Sequence, residues 1–181
     1  MTTATKKRPL TVTLPSQRRT PTPEQLAGAP GMVRAAHSKL PRWDNQVATL
    51  REWKVFLKAT KAAFEEEIAQ LEKDLEDGDL YYQTKMQHER RLVQLRENLD
   101  AVVNGDSMLG EYPLIIKQAN LPEAVRAHHG YGTKHIDAVI TKAKAERDKY
   151  LAIIDDWMDS LPEDTPTSKH VLRQTKERHI D

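Results

Sequence analysis

The stretch LREWKVFLKATKAAFEEEIAQLEKDL, residues 50–75, sets the architecture because its apolar side chains recur at every third or fourth position. Side chains at these spacings share one face of a helix. The stripe consists of Leu50, Trp53, Leu57, Phe64, Ile68, Leu71 and Leu75, with Thr60 completing the step between Leu57 and Phe64. Alternating steps of three and four with one stutter are typical of a coiled-coil seam.

This stripe predicts a long helix that begins at Asp44, a suitable N-cap, and ends before Gly78. About 32 helical residues would extend roughly 48 Å, and one apolar stripe of that length needs a partner helix. Gly78 can adopt the left-handed conformation and Asp79 can cap a following helix, so residues 43–104 are predicted to form an antiparallel hairpin. The alternative is that residues 44–103 form one bent rod that dimerises, because a Gly inside a helix costs only about 1 kcal/mol and does not force a break.

The second helix of the hairpin is predicted to close at Asn104 and Gly105. Its stripe consists of Leu92, Leu95 and Leu99, with Tyr81, His88 and Val102 in the same pattern. Residues 105–132 then have the composition of an irregular connector. Its apolar run of Leu114, Ile115 and Ile116 is expected to plug the end of the bundle, and a short helix is expected near Pro122.

A third long helix is predicted to follow, with Thr133 as its N-cap and Pro162 ending it. Its stripe consists of Ile136, Ile140, Tyr150, Ile154 and Trp157. Thr165 is predicted to start a short basic C-terminal helix. The third long helix and this short helix together form the predicted region of residues 133–181. The predicted fold class is therefore all-α: an antiparallel helical hairpin or bundle with coiled-coil-like seams and an extended basic N-terminal arm.

The predicted arm comprises residues 1–42 and holds eight Lys and Arg against one Glu, a net charge of +7. Residues 43–112 hold nine basic and fifteen acidic residues, a net charge of −6, and residues 113–181 are neutral with eleven of each. Within the arm, Thr22, Pro23 and Gln25 predict the start of a short helix. Such charge segregation indicates that the arm meets an acidic protein surface or nucleic acid.

The arm supplies the candidate partner-binding residues, which combine spaced cations with a short apolar run. They are Lys6, Lys7, Arg8, Leu10, Val12, Leu14, Arg18, Arg19, Arg34 and, at the junction with the first helix, Trp43. The segment PLTVTLP, residues 9–15, alternates as an edge strand does, and an extended loop is the alternative. Cations along an extended segment would bind phosphates without sequence preference.

Catalytic chemistry finds little support in the sequence. The loop HHGYGTKH, residues 128–135, holds three His, but adjacent imidazoles do not readily chelate one ion and no metal motif is present. Its Gly-Tyr-Gly lacks the spacing of a phosphate-binding loop. Glu65, Glu66 and Glu67 diverge around a helix and indicate a solvated face rather than paired acids. We therefore expect no catalytic, metal or cofactor site and no enzymatic activity.

The absence of Cys, of a secretory signal and of a membrane-spanning run favours a virion or the cytoplasm over secretion. The sequence thus predicts a structural subunit of a large multichain particle, with a virion favoured, in oligomeric contact with other protein subunits and possible contact with nucleic acid through the arm. Two alternatives remain: a nucleic-acid-binding accessory protein without sequence specificity, and a soluble helical adaptor or chaperone.

Overall fold

The computed structural model describes residues 20–162, and within that range the chain forms six helices and no strand. They are α1 (Pro23–Gly28), α2 (Gly31–Glu76), α3 (Tyr82–Asn104), α4 (Tyr112–Gln118), α5 (Glu123–Arg126) and α6 (Ile136–Asp159). The prediction of an all-α fold is confirmed for this range. The strand-like segment 9–15 and the C-terminal helix from Thr165 lie outside the described residues.

Helix α1 begins where local sequence chemistry predicts. The Thr22 hydroxyl accepts a hydrogen bond from the backbone N–H of Gln25 at 3.3 Å, and the Gln25 side chain accepts one from the N–H of Thr22 at 2.8 Å. Pro23 occupies the first turn, where its missing N–H costs nothing. The predicted capping box is confirmed.

Helix α2 begins at Gly31, so the prediction that the first long helix starts at Asp44 is wrong. The helix continues through Pro41, although a proline inside a helix costs about 3 kcal/mol. Val33 and Ala36, one helical step apart, are both only 2% exposed. Since burying a Val side chain stabilises by roughly 1.5–3 kcal/mol, packing of this first turn offsets much of the proline's cost.

The chain divides into two compact units, each with its own buried side chains. The larger unit, residues 37–151, has a core that includes Trp53, Leu57, Leu95 and Tyr112. The described part of the smaller unit comprises residues 20–36 and 152–162. Its described buried apolar side chains are Ala29, Val33, Ala36, Ile154 and Met158. Residues 20–36, part of the predicted extended arm, therefore contain buried side chains.

The loop between α2 and α3 turns at Gly78, whose φ of +78° is the predicted left-handed conformation. Helix α3 begins at Tyr82 rather than after Asp79, and its cap Tyr81 makes no side-chain hydrogen bond. At its other end α3 closes at Asn104, and Gly105 adopts a φ of +89°. The predicted end of this helix is confirmed.

The connector after α3 is more ordered than predicted, because it contains the short helices α4 and α5. Ile116 is 7% exposed and joins the core, whereas Leu114 is 53% exposed, so the predicted apolar plug forms only in part. Tyr112 and Val125, which were not singled out, fill the core instead. The predicted short helix near Pro122 is present as α5.

Helix α6 contacts α2 in the larger unit through three polar contacts. Lys54 pairs with Asp137, and the Arg147 Nε lies 4.0 Å from a carboxylate oxygen of Asp44. The Lys39 ammonium lies 5.7 Å from the centre of the Tyr150 ring, within range of a cation–π contact. Contacts nearer the start of α2 involve residues nearer the end of α6, so these stretches run antiparallel.

Candidate functional site: the acidic segment of α2 and α3

The seam residues divide into two groups by burial. Fully buried are Leu50, Trp53, Leu57, Phe64, Leu92, Leu95, Ile136, Ile140 and Ile154. Half-buried are Ile68, Leu71, Leu75, Leu99, Tyr150 and Trp157. On α2 the seam residues up to Phe64 are buried, and those after it are only half-buried.

Residues 65–91, which we call the acidic segment, contain no buried residue, although buried residues lie on both sides at Phe64 and Leu92. The segment consists of the last turns of α2, the loop 77–81 and the first turns of α3. A helix that packs on one neighbour leaves much of its surface in solvent, which agrees with the partial burial of Ile68 and Leu71.

The acidic segment carries nine Asp and Glu against four Lys and Arg, a net charge of −5. Arg91 anchors it to the rest of the larger unit, since its Nε donates to Glu67 at 2.8 Å and its Nη1 donates to Glu111 at 2.6 Å. These contacts, with Glu67 the stronger, raise the pKa of Arg91 despite its partial burial. Arg96 Nη2 donates to Glu72 at 2.9 Å, a second link between α3 and α2.

The tip of the segment exposes two adjacent aromatic side chains. Tyr81 is 88% exposed and Tyr82 is 75% exposed, the first and third most exposed of the described large apolar and aromatic residues. Three exposed carboxylates, those of Glu76, Asp77 and Asp79, form no ion pair with any residue in the range 20–162. Tyrosine rings and unpaired carboxylates both attract Lys and Arg, so the tip suits a cationic partner.

The sequence interpretation missed this pair. It assigned Tyr81 to the apolar stripe of the second helix, but Tyr81 precedes α3 and lies in solvent. The signal was present in DGDLYY, residues 77–82, where two aromatic residues directly follow an acidic turn. Tyr81 fits the three-and-four spacing of the apolar stripe, so the spacing alone assigns it to the helix. Because α3 begins only at Tyr82, Tyr81 does not lie on the apolar face of that helix.

Only two of the predicted partner-binding residues, Arg34 and Trp43, lie within the described range. Lys6, Lys7, Arg8, Leu10, Val12, Leu14, Arg18 and Arg19 lie outside the described residues. Arg34 is exposed on α2, inside a helix rather than on an extended arm. Trp43 is half-buried and packs against the core of the larger unit.

The histidine loop before α6 is held against α2 by hydrogen bonds. His128 Nε2 lies 3.0 Å from the Thr49 hydroxyl, and its ring stacks on Tyr131 with 6.1 Å between centroids. Burial lowers the pKa of His128. His129 Nδ1 lies 3.1 Å from the carbonyl oxygen of Arg126. Across residues 20–162, no three His, Asp or Glu side chains are grouped as metal ligands would be.

The glycines of this loop allow two backbone segments to touch. A Cβ on Gly132 would lie 2.3 Å from the carbonyl oxygen of Val103, and one on Gly105 would lie 2.5 Å from that of Gly130. The N–H of Thr133 donates to the carbonyl of Val102 at 2.9 Å in the same contact. Gly-Tyr-Gly therefore packs the loop onto the end of α3.

A shallow, open cavity of about 220 Å³ lies beside this loop. Its apolar walls come from Met108, Pro113 and Ile116, while Arg126 and His129 supply the polar edge.

Comparison of the chain with known protein families, with curated proteins and with solved structures finds no match. None of the helices within residues 20–162 combines the length and the apolar composition needed to cross a membrane.

Proposed function

We propose that this chain is a non-enzymatic assembly subunit of a large multichain particle, with a virion as the favoured setting. In this proposal the helical body packs against neighbouring subunits, and the N-terminal arm docks on those neighbours or on nucleic acid. The observation that carries it is the opposition of charge between two parts of the chain. Residues 1–19, the leading segment, hold five Lys and Arg and no acid, whereas the acidic segment has a net charge of −5 and exposes Tyr81 and Tyr82.

The helical body suits a scaffold because long helices with continuous seams are stiff. We infer that α2 and α3 form an antiparallel pair with a coiled-coil-like seam. Two ion pairs, Glu67 with Arg91 and Glu72 with Arg96, link α2 to α3 on the two sides of the turn at Gly78. The half-buried Ile68 and Leu71 pack against the core of the larger unit and extend it beyond Phe64.

The proposal is tested by purifying the protein from its native source at low salt and measuring the mass and composition of the complex that co-purifies with it. We expect a particle that contains many chains, because docking of a cationic segment on acidic surfaces is preserved at low ionic strength. A free 20.7 kDa monomer under those conditions would overturn the proposal.

A nucleic-acid-binding accessory role is the second candidate, favoured by the acid-free cationic composition of the leading segment. It predicts that the full chain binds DNA and RNA with a steep salt dependence, a slope of about −0.9 per neutralised phosphate on B-DNA. Neutralising Lys6, Lys7, Arg8, Arg18 and Arg19 together would flatten that slope. No binding at low salt would favour docking on protein, in agreement with the acidic body, which repels phosphate.

A further inference from the structure

We propose that the tip of the acidic segment is the docking surface for the leading segment of a second copy of this chain. The surface comprises Glu76, Asp77, Asp79, Tyr81 and Tyr82. This inference rests on the proposed assembly function and names one contact within it. The contact joins the leading segment of one copy to the tip of the acidic segment of another.

The tip has the properties of a surface that is covered in its working state. Tyr81 and Tyr82 are neighbours in the chain and both largely exposed, whereas scattered single exposed apolar residues would need no explanation. Tyrosine is favoured at interfaces because it contributes a large apolar area together with a polar hydroxyl. Leu80, which precedes Tyr81 in the chain, is half-buried.

The charge of the tip selects the occupant. Packing one acidic segment on another would bring two surfaces of net charge −5 together, and like charges in contact disfavour association. Glu76, Asp77 and Asp79, which form no ion pair within residues 20–162, can pair with cations instead. Residues 1–19 supply a net charge of +5, whereas the last nineteen residues, 163–181, hold four basic and four acidic residues and are neutral. The leading segment is therefore the better match of the two chain ends.

The composition of the leading segment also matches the apolar part of the tip. Leu10, Val12 and Leu14 alternate with Thr between the cationic groups at residues 6–8 and 18–19. In an extended conformation such residues point to one side and can lie on the tyrosine rings while Lys and Arg reach the carboxylates. Fourteen extended residues span about 46 Å, longer than the roughly 18 Å of α2 between residues 65 and 76.

This contact joins two different surfaces, so each added copy leaves a free tip and a free leading segment. Such a heterologous contact closes as a ring, of which a dimer with reciprocally exchanged leading segments is the smallest, or continues as an open filament. The proposal therefore predicts self-association of the isolated chain.

Two charge-reversed full-length variants test the contact. The first reverses the leading segment: Lys6→Glu, Lys7→Glu, Arg8→Glu, Arg18→Glu and Arg19→Glu. The second reverses the tip: Glu76→Lys, Asp77→Lys and Asp79→Lys. A matched control makes the same charge change at exposed acids elsewhere: Glu52→Lys, Asp100→Lys and Asp156→Lys. Each protein carries a photo-cross-linking residue in place of Tyr82, and isotopically heavy and light copies are mixed.

In the parent chain and the control, we expect Tyr82-position cross-links from a light copy to residues 1–19 of a heavy copy. Either reversed variant alone should lose these cross-links by about tenfold or more, which corresponds to about 1.4 kcal/mol. An equimolar mixture of the two variants should regain them, because the acidic leading segment of one then meets the basic tip of the other. Circular dichroism checks that each variant retains its helices.

Cross-links that stay within one copy, or no cross-links to residues 1–19 in the parent chain, would overturn the inference. Failure of the mixture to regain them would also overturn it. The contact and the assembly function can be tested separately. If the tip-reversed chain enters its native particle normally, the proposed contact is wrong, but the assembly function is not contradicted.

Discussion

The indole N–H of Trp53 donates a hydrogen bond to the backbone carbonyl oxygen of Tyr131 at 2.7 Å. The two residues are 78 positions apart, and this bond fixes the loop before α6 onto the middle of α2. Trp53 is fully buried, and its ring centroid lies 5.1 Å from that of Phe56. One side chain thus anchors both the core and the histidine loop of the larger unit.

Trp53→Phe should therefore lower the free energy of unfolding more than loss of a hydrogen bond alone. The change removes a bond worth about 0.5–1.5 kcal/mol and also leaves unfilled volume in the core, so we expect a total loss of about 2–4 kcal/mol. Urea denaturation followed by circular dichroism measures it. Trp43→Phe, at a half-buried position, is the matched control and should cost less than half as much. Equal losses would contradict this assignment.

Gly132→Ala should destabilise the contact between the loop and α3. The new methyl group would lie 2.3 Å from the Val103 carbonyl oxygen and 2.4 Å from the Gly105 nitrogen, both backbone atoms that cannot easily move. Overpacking of this kind costs roughly 1–3 kcal/mol or more. Gly130→Ala is the control, since nothing lies within 4 Å of its added methyl group. Thermal unfolding should separate the two variants, and equal melting temperatures would refute the close approach.

The His128 contact predicts a pH dependence of stability. Burial lowers the pKa of His128 in the folded chain, so the unfolded chain binds more protons near and below its ordinary pKa of about 6.5. Stability is therefore full above that value and falls as the pH drops through the unfolded and then the folded pKa. His128→Gln, which retains a polar partner for Thr49, should weaken this dependence. Urea denaturation of both chains across a pH series measures the difference, and an unchanged pH dependence in His128→Gln would contradict this role.

Tyr112→Phe should preserve or raise stability. The Tyr112 side chain is fully buried, and its hydroxyl has no hydrogen-bond partner within the described part of the chain. Burial without a partner carries a desolvation cost of about 1–3 kcal/mol, which removal of the hydroxyl relieves while the ring stays in place. Equilibrium unfolding in urea measures the difference. A loss above about 1 kcal/mol would show that the hydroxyl is stabilising.

Local signals in the sequence predicted the parts of the fold that depend on local chemistry. The cap at Thr22, the left-handed Gly78 and the end of α3 at Gly105 follow from residues within one turn of each boundary. The passage of α2 through Pro41 was missed because it depends on burial of Val33 and Ala36, which no local pattern reveals.

The same limit applies to the candidate site. The charge of the acidic segment is visible in the sequence, but the exposure of Tyr81 depends on where α3 begins. The role of His128 depends on Thr49, 79 residues away along the chain. Helical periodicity describes one element at a time and cannot predict such pairs.

The most direct test of assembly through the leading segment replaces the native chain by one that lacks residues 1–19. The number of copies of this chain in the purified native particle is then counted by quantitative mass spectrometry. The account predicts that the shortened chain keeps its helices but is largely missing from the particle. Incorporation at the level of the full chain would contradict it.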